Sequence, residues 1–372
     1  MSRHRYRGVP LSTEKALEVG EGSRAGELQL VKGNVALAEG ALQAGCRFYF
    51  GYPITPQNDI PEYLSEKLPE VGGTFIQAES EIASINMVMG AAASGGRAMT
   101  SSSGPGISLM QEGLSYIAGA ELPCVVVNVM RCGPGLGGIA PTQGDYFQAV
   151  KGGGHGDYYN IVLAPASVQE MFDLVILAFE LADKYCNPAV VLADAMLGQM
   201  KEPAVLEPLE PVNIAPKDWV LAGAKGRAQR VIKTLYLKDG EQEAHNLELK
   251  EKYDLVRREE QRAESYLVED AELLVVAFGM ASRIARTAVR AARENGRNVG
   301  LIRPITLFPF PERVIRDATE RTRDVLVVEM NTGQMAEDVR LSATAGTRCR
   351  FYGRPGGGVP SPENILDEIE AV

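Results

Sequence analysis

Between residues 26 and 200, short apolar runs alternate with stretches of helical hydrophobic period. Segments 35–44, 81–94, 107–118 and 168–184 carry apolar residues at helix spacing, with Ile82, Ile85 and Met89 assigned to one face of the second. Segments 48–51, 74–77, 98–102, 125–130 and 190–193 are strand-sized, and all but 98–102 are rich in β-branched or aromatic residues. This βα alternation predicts a mostly parallel sheet. Residues 201–216 hold Pro203, Pro208, Pro211 and Pro216 with little periodicity and are expected to be an extended linker. Residues 217–268 contain Trp219 and then a charged run, whose Leu247, Leu249, Tyr253 and Val256 suit a helix or hairpin laid on a domain face. A second α/β unit is predicted from Ala271, with strands 273–278, 299–302, 325–329 and 348–352 and a helix 282–294 stopped at Gly296. Its closing helix is capped by Ser361 and Pro362 and runs to Ala371. The organisation expected is an N-terminal extension over 1–30, an α/β domain over 31–200, a linker and helical connector over 201–268, and a second α/β domain over 269–372.

Composition narrows the function. The 372 residues leave ample length for packed cores, and 38 Lys and Arg against 48 Asp and Glu give a net charge of −10. That balance opposes a phosphate backbone, which argues against nucleic acid as a partner. No apolar run approaches the roughly 20 residues of a membrane-spanning helix. The basic start is followed by Gly8, Pro10, Glu14 and Glu18 rather than by an apolar signal segment, so a cytoplasmic address is expected. Cys46, Cys124, Cys132, Cys186 and Cys349 form no Cys-x-x-Cys pair, and His4, His155 and His245 are scattered. No zinc or iron–sulfur ligand set is expected from this chain, and no metal site is assigned to it.

Glycine-rich segments offer competing chemistry. Residues 133–138 fit G-x-G-x-x-G after a predicted strand, with Asp157 near the place of a ribose-binding acid. Pro134 and Pro141 bracket the pattern, and Gly144 and Gly152 to Gly154 interrupt the helix that would receive a pyrophosphate, which weighs against a nicotinamide site. Residues 101–106, Ser-Ser-Ser-Gly-Pro-Gly, lie between a strand and a helix and read either as a polar cofactor cradle or as a plain βα turn. No phosphate-loop motif exists, since Gly152 to Gly156 lacks the required lysine.

Glu79 and Glu81 sit where a strand hands over to a helix, the ligand edge of a parallel sheet. An acid in a first helical turn is commonly only a dipole partner. Here it belongs to an ordered set: Gly51-Tyr-Pro-Ile-Thr-Pro56, Glu79-Ser-Glu81, Ser103-Gly-Pro-Gly106, Leu122-Pro123, Arg131 and Gly144-Asp145. This set resembles the α subunit of 2-oxoacid:ferredoxin oxidoreductases, from about Val31 to the C-terminus. The resemblance implies an α/β fold in which a pyrimidine-binding domain of thiamine-diphosphate enzymes precedes a transketolase C-terminal-like domain.

Carried onto this sequence, the resemblance makes Glu81 the catalytic and cofactor-binding glutamate that hydrogen-bonds the aminopyrimidine ring nitrogen and promotes its imino tautomer. It places Ser103, Gly104 and Gly106 at the cofactor, Thr55 near the substrate, and Arg131 on the 2-oxoacid carboxylate, which a guanidinium fork suits. Read without the resemblance, Thr55 is a turn residue and Arg131 a surface or interface arginine. The diphosphate and its Mg2+ would lie on a β subunit. A separate γ subunit and a ferredoxin-like δ subunit would accompany it, with [4Fe-4S] clusters on the partners, ferredoxin as electron acceptor and coenzyme A as co-substrate.

The loop after Arg131 holds Leu136 and Ile139 and no Lys or Arg before Lys151. A second substrate carboxylate would find no cation in it, whereas a branched aliphatic tail would gain from Leu136 and Ile139 as substrate-binding residues. Its Gly-Pro-Gly-Leu-Gly form also resembles the branched-chain (3-methyl-2-oxobutanoate) members. Alternatives are 2-oxoglutarate or pyruvate as substrate and, in another class, a non-catalytic scaffold subunit whose acidic surface docks partners.

Overall fold

The computed structural model describes residues 26–372 apart from 209–211, 213 and 215. Most of the extension expected over 1–30 therefore lies outside the described residues. Strand β1 (Leu28–Lys32) leads into helix Gly33–Gln43. Strands β2 (Phe48–Gly51), β3 (Thr74–Gln77), β4 (Ala98–Ser102), β5 (Cys124–Met130), β6 (Ile161–Leu163) and β7 (Pro188–Asp194) follow. They pair in parallel, joined by helices Asp59–Glu70, Glu81–Ala93, Pro105–Leu109, Gln111–Gly119 and Val168–Tyr185, among others. Every residue of β5 and β7 is buried, as expected where helices cover both faces and leave no place for alternating polar residues.

Several local expectations need correction. The helix predicted over 107–118 begins two residues earlier, with Pro105 in its first turn, and breaks at Met110, whose N–H bonds Ile107 O at the tighter i−3 spacing. Helix Glu81–Ala93 buries Glu81, Ser84, Ile85, Val88 and Ala92, so Ile82 points outward, away from the face assigned to it. Part of the supposed linker is strand β8 (Lys201–Val205), paired antiparallel with β1 in a two-stranded ribbon. Pro203 is tolerated there because the ribbon leaves strand edges free.

From residue 216 to about 238 the connector forms turns and irregular chain without a strand, and then helix Glu241–Glu259. This helix buries Leu249, Tyr253, Val256 and Lys252, while Leu247 stays exposed. Lys252 reaches Glu121 at 3.5 Å, and Tyr253 Oη donates to Asn187 Oδ1 at 3.1 Å. Glu121 and Asn187 lie just ahead of β5 and β7, so the connector packs on the N-terminal edge of the sheet.

The second unit contains β9 (Ala263–Tyr266), β10 (Leu273–Val276), β11 (Val299–Pro304), β12 (Thr306–Phe308), β13 (Asp324–Glu329) and β14 (Arg348–Gly353). Its five-stranded sheet runs β14-β13-β10-β11-β9, with β9 antiparallel at one edge. Strand β12 leaves this sheet and adds antiparallel to β6, giving the first sheet the order β12-β6-β7-β5-β4-β2-β3. The closing helix Pro362–Glu370 has the expected Ser361 cap, completed by Asn364 into a reciprocal capping box.

Two polar junctions lock the units together. Gln143, on the loop after β5, donates from its backbone to Met330 O at 3.0 Å and from Nε2 to Phe278 O at 2.8 Å. It accepts from Met330 N at Oε1 (2.9 Å) and from Asn331 Nδ2 at its backbone carbonyl (2.8 Å). Phe278 and Met330 follow β10 and β13, so the C-terminal edge of the second sheet faces that of the first, over β5 and β7. On the other side Arg303 makes a buried bidentate pair with Glu170 across the units at 2.7 and 2.8 Å, and is bonded within its own unit to half-buried Glu264 at 2.8 Å. Removing one member of such a cluster leaves charge uncompensated in low dielectric. Arg303→Ala is therefore expected to cost about 3–5 kcal/mol of stability in urea unfolding at neutral pH. A loss below about 1 kcal/mol would show the cluster to be an ordinary surface pair.

Candidate active site

Four connections of the first sheet converge at its C-terminal edge, where the chain reverses its direction of strand addition between β2 and β4. Crevices at such switch points are the usual ligand sites of parallel sheets. After β3 comes Ser80, whose hydroxyl accepts from Ala83 N and caps the next helix, and then Glu81. Glu79 is exposed, whereas Glu81 is only 6% exposed. Burial therefore separates two acids that the sequence presents side by side. Among the described residues no hydrogen bond or ion pair reaches the Glu81 carboxylate, although a buried carboxylate ordinarily recruits one.

The turn after β4 fits between Glu81 and Arg131. A Cβ on Gly106 would fall 2.4 Å from Glu81 Oε1 and 2.1 Å from Ser102 Oγ, so only glycine allows the turn this close to the carboxylate. Ser102 Oγ is itself buried without a partner. Gly104 has φ +45°, and a Cβ there would meet Arg131 Nε at 3.3 Å. Ser103 is buried, and its hydroxyl donates to Val129 O at 2.7 Å, so its proton serves the fold and only its lone pairs remain for a ligand.

Arg131 follows β5 and is 8% exposed. Nη1 donates to Thr55 O at 3.1 Å, Nη2 donates to Leu136 O at 3.3 Å, and Nε is buried without a partner. Among the described residues no carboxylate neutralises it. A guanidinium held only by neutral carbonyls keeps its charge for an anion. Thr55 is exposed on the turn after β2, beside this guanidinium.

Residues 132–140 fold back on themselves, with Cys132 N bonded to Ala140 O at 2.9 Å and Gly138 N to Cys132 O at 2.9 Å. No helix follows directly; the next is the short Tyr146–Val150. The glycine pattern at 133–138 therefore closes a loop rather than opening a pyrophosphate-binding helix, and Asp157 accepts from Asn246 of the connector. The nicotinamide alternative fails on this geometry. Leu136 and Ile139 project outward, 80% and 63% exposed. The loop itself holds no cation, but the second unit lies against it. A Cβ on Gly357 would meet Ala140 Cβ at 2.6 Å, and Arg354, close by in sequence, is exposed with no carboxylate partner among the described residues. The cation-free surroundings inferred from the loop alone are corrected to that extent.

A cleft of ≈ 510 Å³ opens between Thr55, Pro56, Asp59, Ile139, Met196 and Gln199. Partial burial pushes the Asp59 carboxyl up. Hydrogen bonds from Lys32, Asn34 and Gln199 outweigh this and hold it below the ordinary range. No sequence signal marked Asn34, Asp59 and Gln199, because only tertiary folding brings them together. Among the described residues no group of three or more His, Cys, Asp or Glu converges as a metal set, and no helix is long and apolar enough to cross a membrane.

Comparisons with known proteins bear on the family to which the chain is similar. Residues 39–266 match the family model described as pyruvate flavodoxin/ferredoxin oxidoreductase, thiamine diP-binding, and 271–365 match pyruvate:ferredoxin oxidoreductase core domain II. The chain is 54% identical over 346 residues to ketoisovalerate oxidoreductase subunit VorB of Methanothermobacter thermautotrophicus, covering 92% of this chain and 97% of that protein. A solved structure, the 2-oxoglutarate:ferredoxin oxidoreductase of Magnetococcus marinus with 2-oxoglutarate, coenzyme A and succinyl-CoA bound, superposes with TM-score 0.84 at 28% identity. That match covers 95% of this chain and 66% of the other. A split-gene transketolase shares the fold at TM-score 0.53 and 11% identity, over 91% of this chain and 96% of the other.

The thiols provide a check on the site loop. Burial pushes Cys46 and Cys124 up to about 12 and raises half-buried Cys349, whereas half-exposed Cys132 lies on the loop beside Arg131. Peptide mapping after brief alkylation of the folded chain at pH 8 is expected to find Cys132 modified first. Equal early labelling of Cys46 or Cys124 would contradict this packing.

Proposed function

The chain belongs to the 2-oxoacid:ferredoxin oxidoreductase family, and from that premise we propose that it forms the pyrimidine-side half of a thiamine-diphosphate site acting on a branched-chain 2-oxoacid. In this reading 3-methyl-2-oxobutanoate and coenzyme A give the acyl-CoA and CO2, while two electrons leave singly to ferredoxin through iron–sulfur clusters on partner subunits. The diphosphate and Mg2+ belong to a β subunit, with γ and δ subunits completing a cytoplasmic complex. None of the five cysteines forms a disulfide, which suits a reducing compartment.

The observation that carries the reading is the pair of unlike charges left bare on either side of the Ser103 to Gly106 turn. Among the described residues Glu81 has no hydrogen-bond or ion-pair partner, Ser102 Oγ beside it is buried without one, and Gly106 leaves out the Cβ that would fill the space between them. These groups fit a heterocycle presenting a ring nitrogen and an amine. Thiamine diphosphate, when bound, supplies a nucleophilic carbon and an electron sink for the bond broken in decarboxylation. With that group bound, Glu81 would hold a proton at a carboxylate oxygen beside its ring, in a position where burial excludes competing water. Gly104 and the Ser103 backbone hold the ring edge.

Arg131 takes the substrate carboxylate through its unpaired Nε side, and Thr55 borders the reacting carbon. Leu136 and Ile139 then meet the substrate tail. They offer an isopropyl group apolar surface on a loop that itself carries no cation, and the ketoisovalerate relative supports the same choice. A scaffold has no use for a buried unpaired acid facing a buried unneutralised arginine.

Glu81→Gln is expected to leave the complex assembled and to lower 2-oxoacid-dependent viologen reduction by about 10²-fold or more. Gly106→Ala, whose new methyl must displace Glu81, is expected to reduce the thiamine diphosphate that co-purifies, measured by chromatography of the extracted cofactor. Ordinary turnover in the Glu81 variant would overturn the assignment.

A further inference from the structure

Two side-chain amides from distant parts of the chain end on one carbonyl beside the substrate-side threonine. Asn34 Nδ2, at the start of helix Gly33–Gln43, donates to Pro56 O at 2.9 Å. Gln199 Nε2, at the end of helix Ala195–Gln199, donates to the same oxygen at 2.7 Å. Both nitrogens also bond Asp59 Oδ2, at 3.1 and 2.8 Å, while Asp59 Oδ1 takes Lys32 Nζ at 2.8 Å. An ionised carboxylate only accepts, so Asp59 fixes which end of each amide faces the turn.

The preceding carbonyl, Thr55 O, is the one that receives Arg131 Nη1. Consecutive carbonyls of one turn are therefore held from opposite sides, by two amides at Pro56 and by the guanidinium at Thr55. Arg131 Nη2 passes the constraint on to Leu136 O in the substrate-side loop. If the Pro56 carbonyl swings, the acceptor that orients the guanidinium swings with it.

We propose that Gln199, acting with Asn34 and Asp59, is a positioning residue for the 2-oxoacid carboxylate site: it aims Arg131 through the Thr55–Pro56 turn. The proposal rests on the reading of Arg131 given above. Gln199 is exposed, so its replacement leaves the core intact, whereas Asn34 is fully buried and a poorer test.

The experiment uses the native complex assayed anaerobically by viologen reduction. Gln199→Met keeps the length and loses the donor, Gln199→Glu replaces the donor by an acceptor facing Asp59 and Pro56 O, and Gln199→Lys restores a donor on a different shape. Loss of a hydrogen-bonding contribution of this kind corresponds to roughly tenfold. The KM for 3-methyl-2-oxobutanoate is expected to rise about tenfold in Gln199→Met and further in Gln199→Glu, and to return toward wild type in Gln199→Lys. The kcat stays within about twofold and the KM for coenzyme A is unchanged, a split that general destabilisation does not produce.

Alkylation of Cys132, on the loop tied to Arg131, is expected to speed up several-fold in the Met and Glu variants, roughly as loop opening follows the lost contact. Unchanged KM and unchanged Cys132 labelling in both variants would overturn the proposal. If the wild-type complex turned over no 2-oxoacid, the functional reading would fall, and the labelling rates would still decide for or against the clamp.

Discussion

Everything at the site follows from how one residue, Gln143, joins the C-terminal edges of two parallel sheets. Its backbone and side chain together bond Phe278, Met330 and Asn331, at the ends of β10 and β13. The second unit is thereby seated over β5 and β7, while the ends of β2, β3 and β4 stay open. An edge fully covered would bury the site, and one fully open would leave Arg131 in water, where a guanidinium–carboxylate contact is screened and weak. Under this half coverage Arg131 is 8% exposed, with Nε left without a partner and no counter-ion among the described residues.

Within that opening the economy of the site is steric as much as electrostatic. The Ser103 to Gly106 turn lies against an acid at one end and a guanidinium at the other, and each approach depends on a missing Cβ. The opposite charges do not pair with each other, and neither finds a counter-ion among the described residues. The protein meets the cost of holding them apart through burial elsewhere, in β5 and β7 and in the bidentate Arg303–Glu170 cluster. Charges held bare in this way are prepared for a ligand, since little protein reorganisation precedes binding.

Much of the scaffold was legible from the chain, because strands buried on both faces are written as short apolar runs, and β2, β3 and β4 begin and end where those runs do. Ribbon β1–β8 was not, because Pro203 and low periodicity imitate a linker when the pairing partner lies at Leu30, far away in sequence. Strand β12 was missed for a related reason: three residues after Arg303 join the other unit's sheet. The ordered motif set singles out Glu81 and Arg131 as candidates; of the two adjacent acids, only burial in the folded chain sets Glu81 apart from Glu79. Asn34, Asp59 and Gln199 carry no motif and converge only through folding. Arg354 escaped notice because the contact of Gly357 with Ala140 joins segments from different units.

The central claim is that this edge binds a 2-oxoacid carboxylate on Arg131 with an aliphatic tail among Leu136 and Ile139. The most direct measurement is anaerobic coenzyme-A-dependent viologen reduction by the native complex, comparing kcat/KM for 3-methyl-2-oxobutanoate, pyruvate and 2-oxoglutarate. Preference for the branched-chain acid over 2-oxoglutarate by about 10²-fold, roughly the cost of a second carboxylate without a partner, is the result predicted. Equal or better use of 2-oxoglutarate would contradict it and direct attention to Arg354 as the second cation.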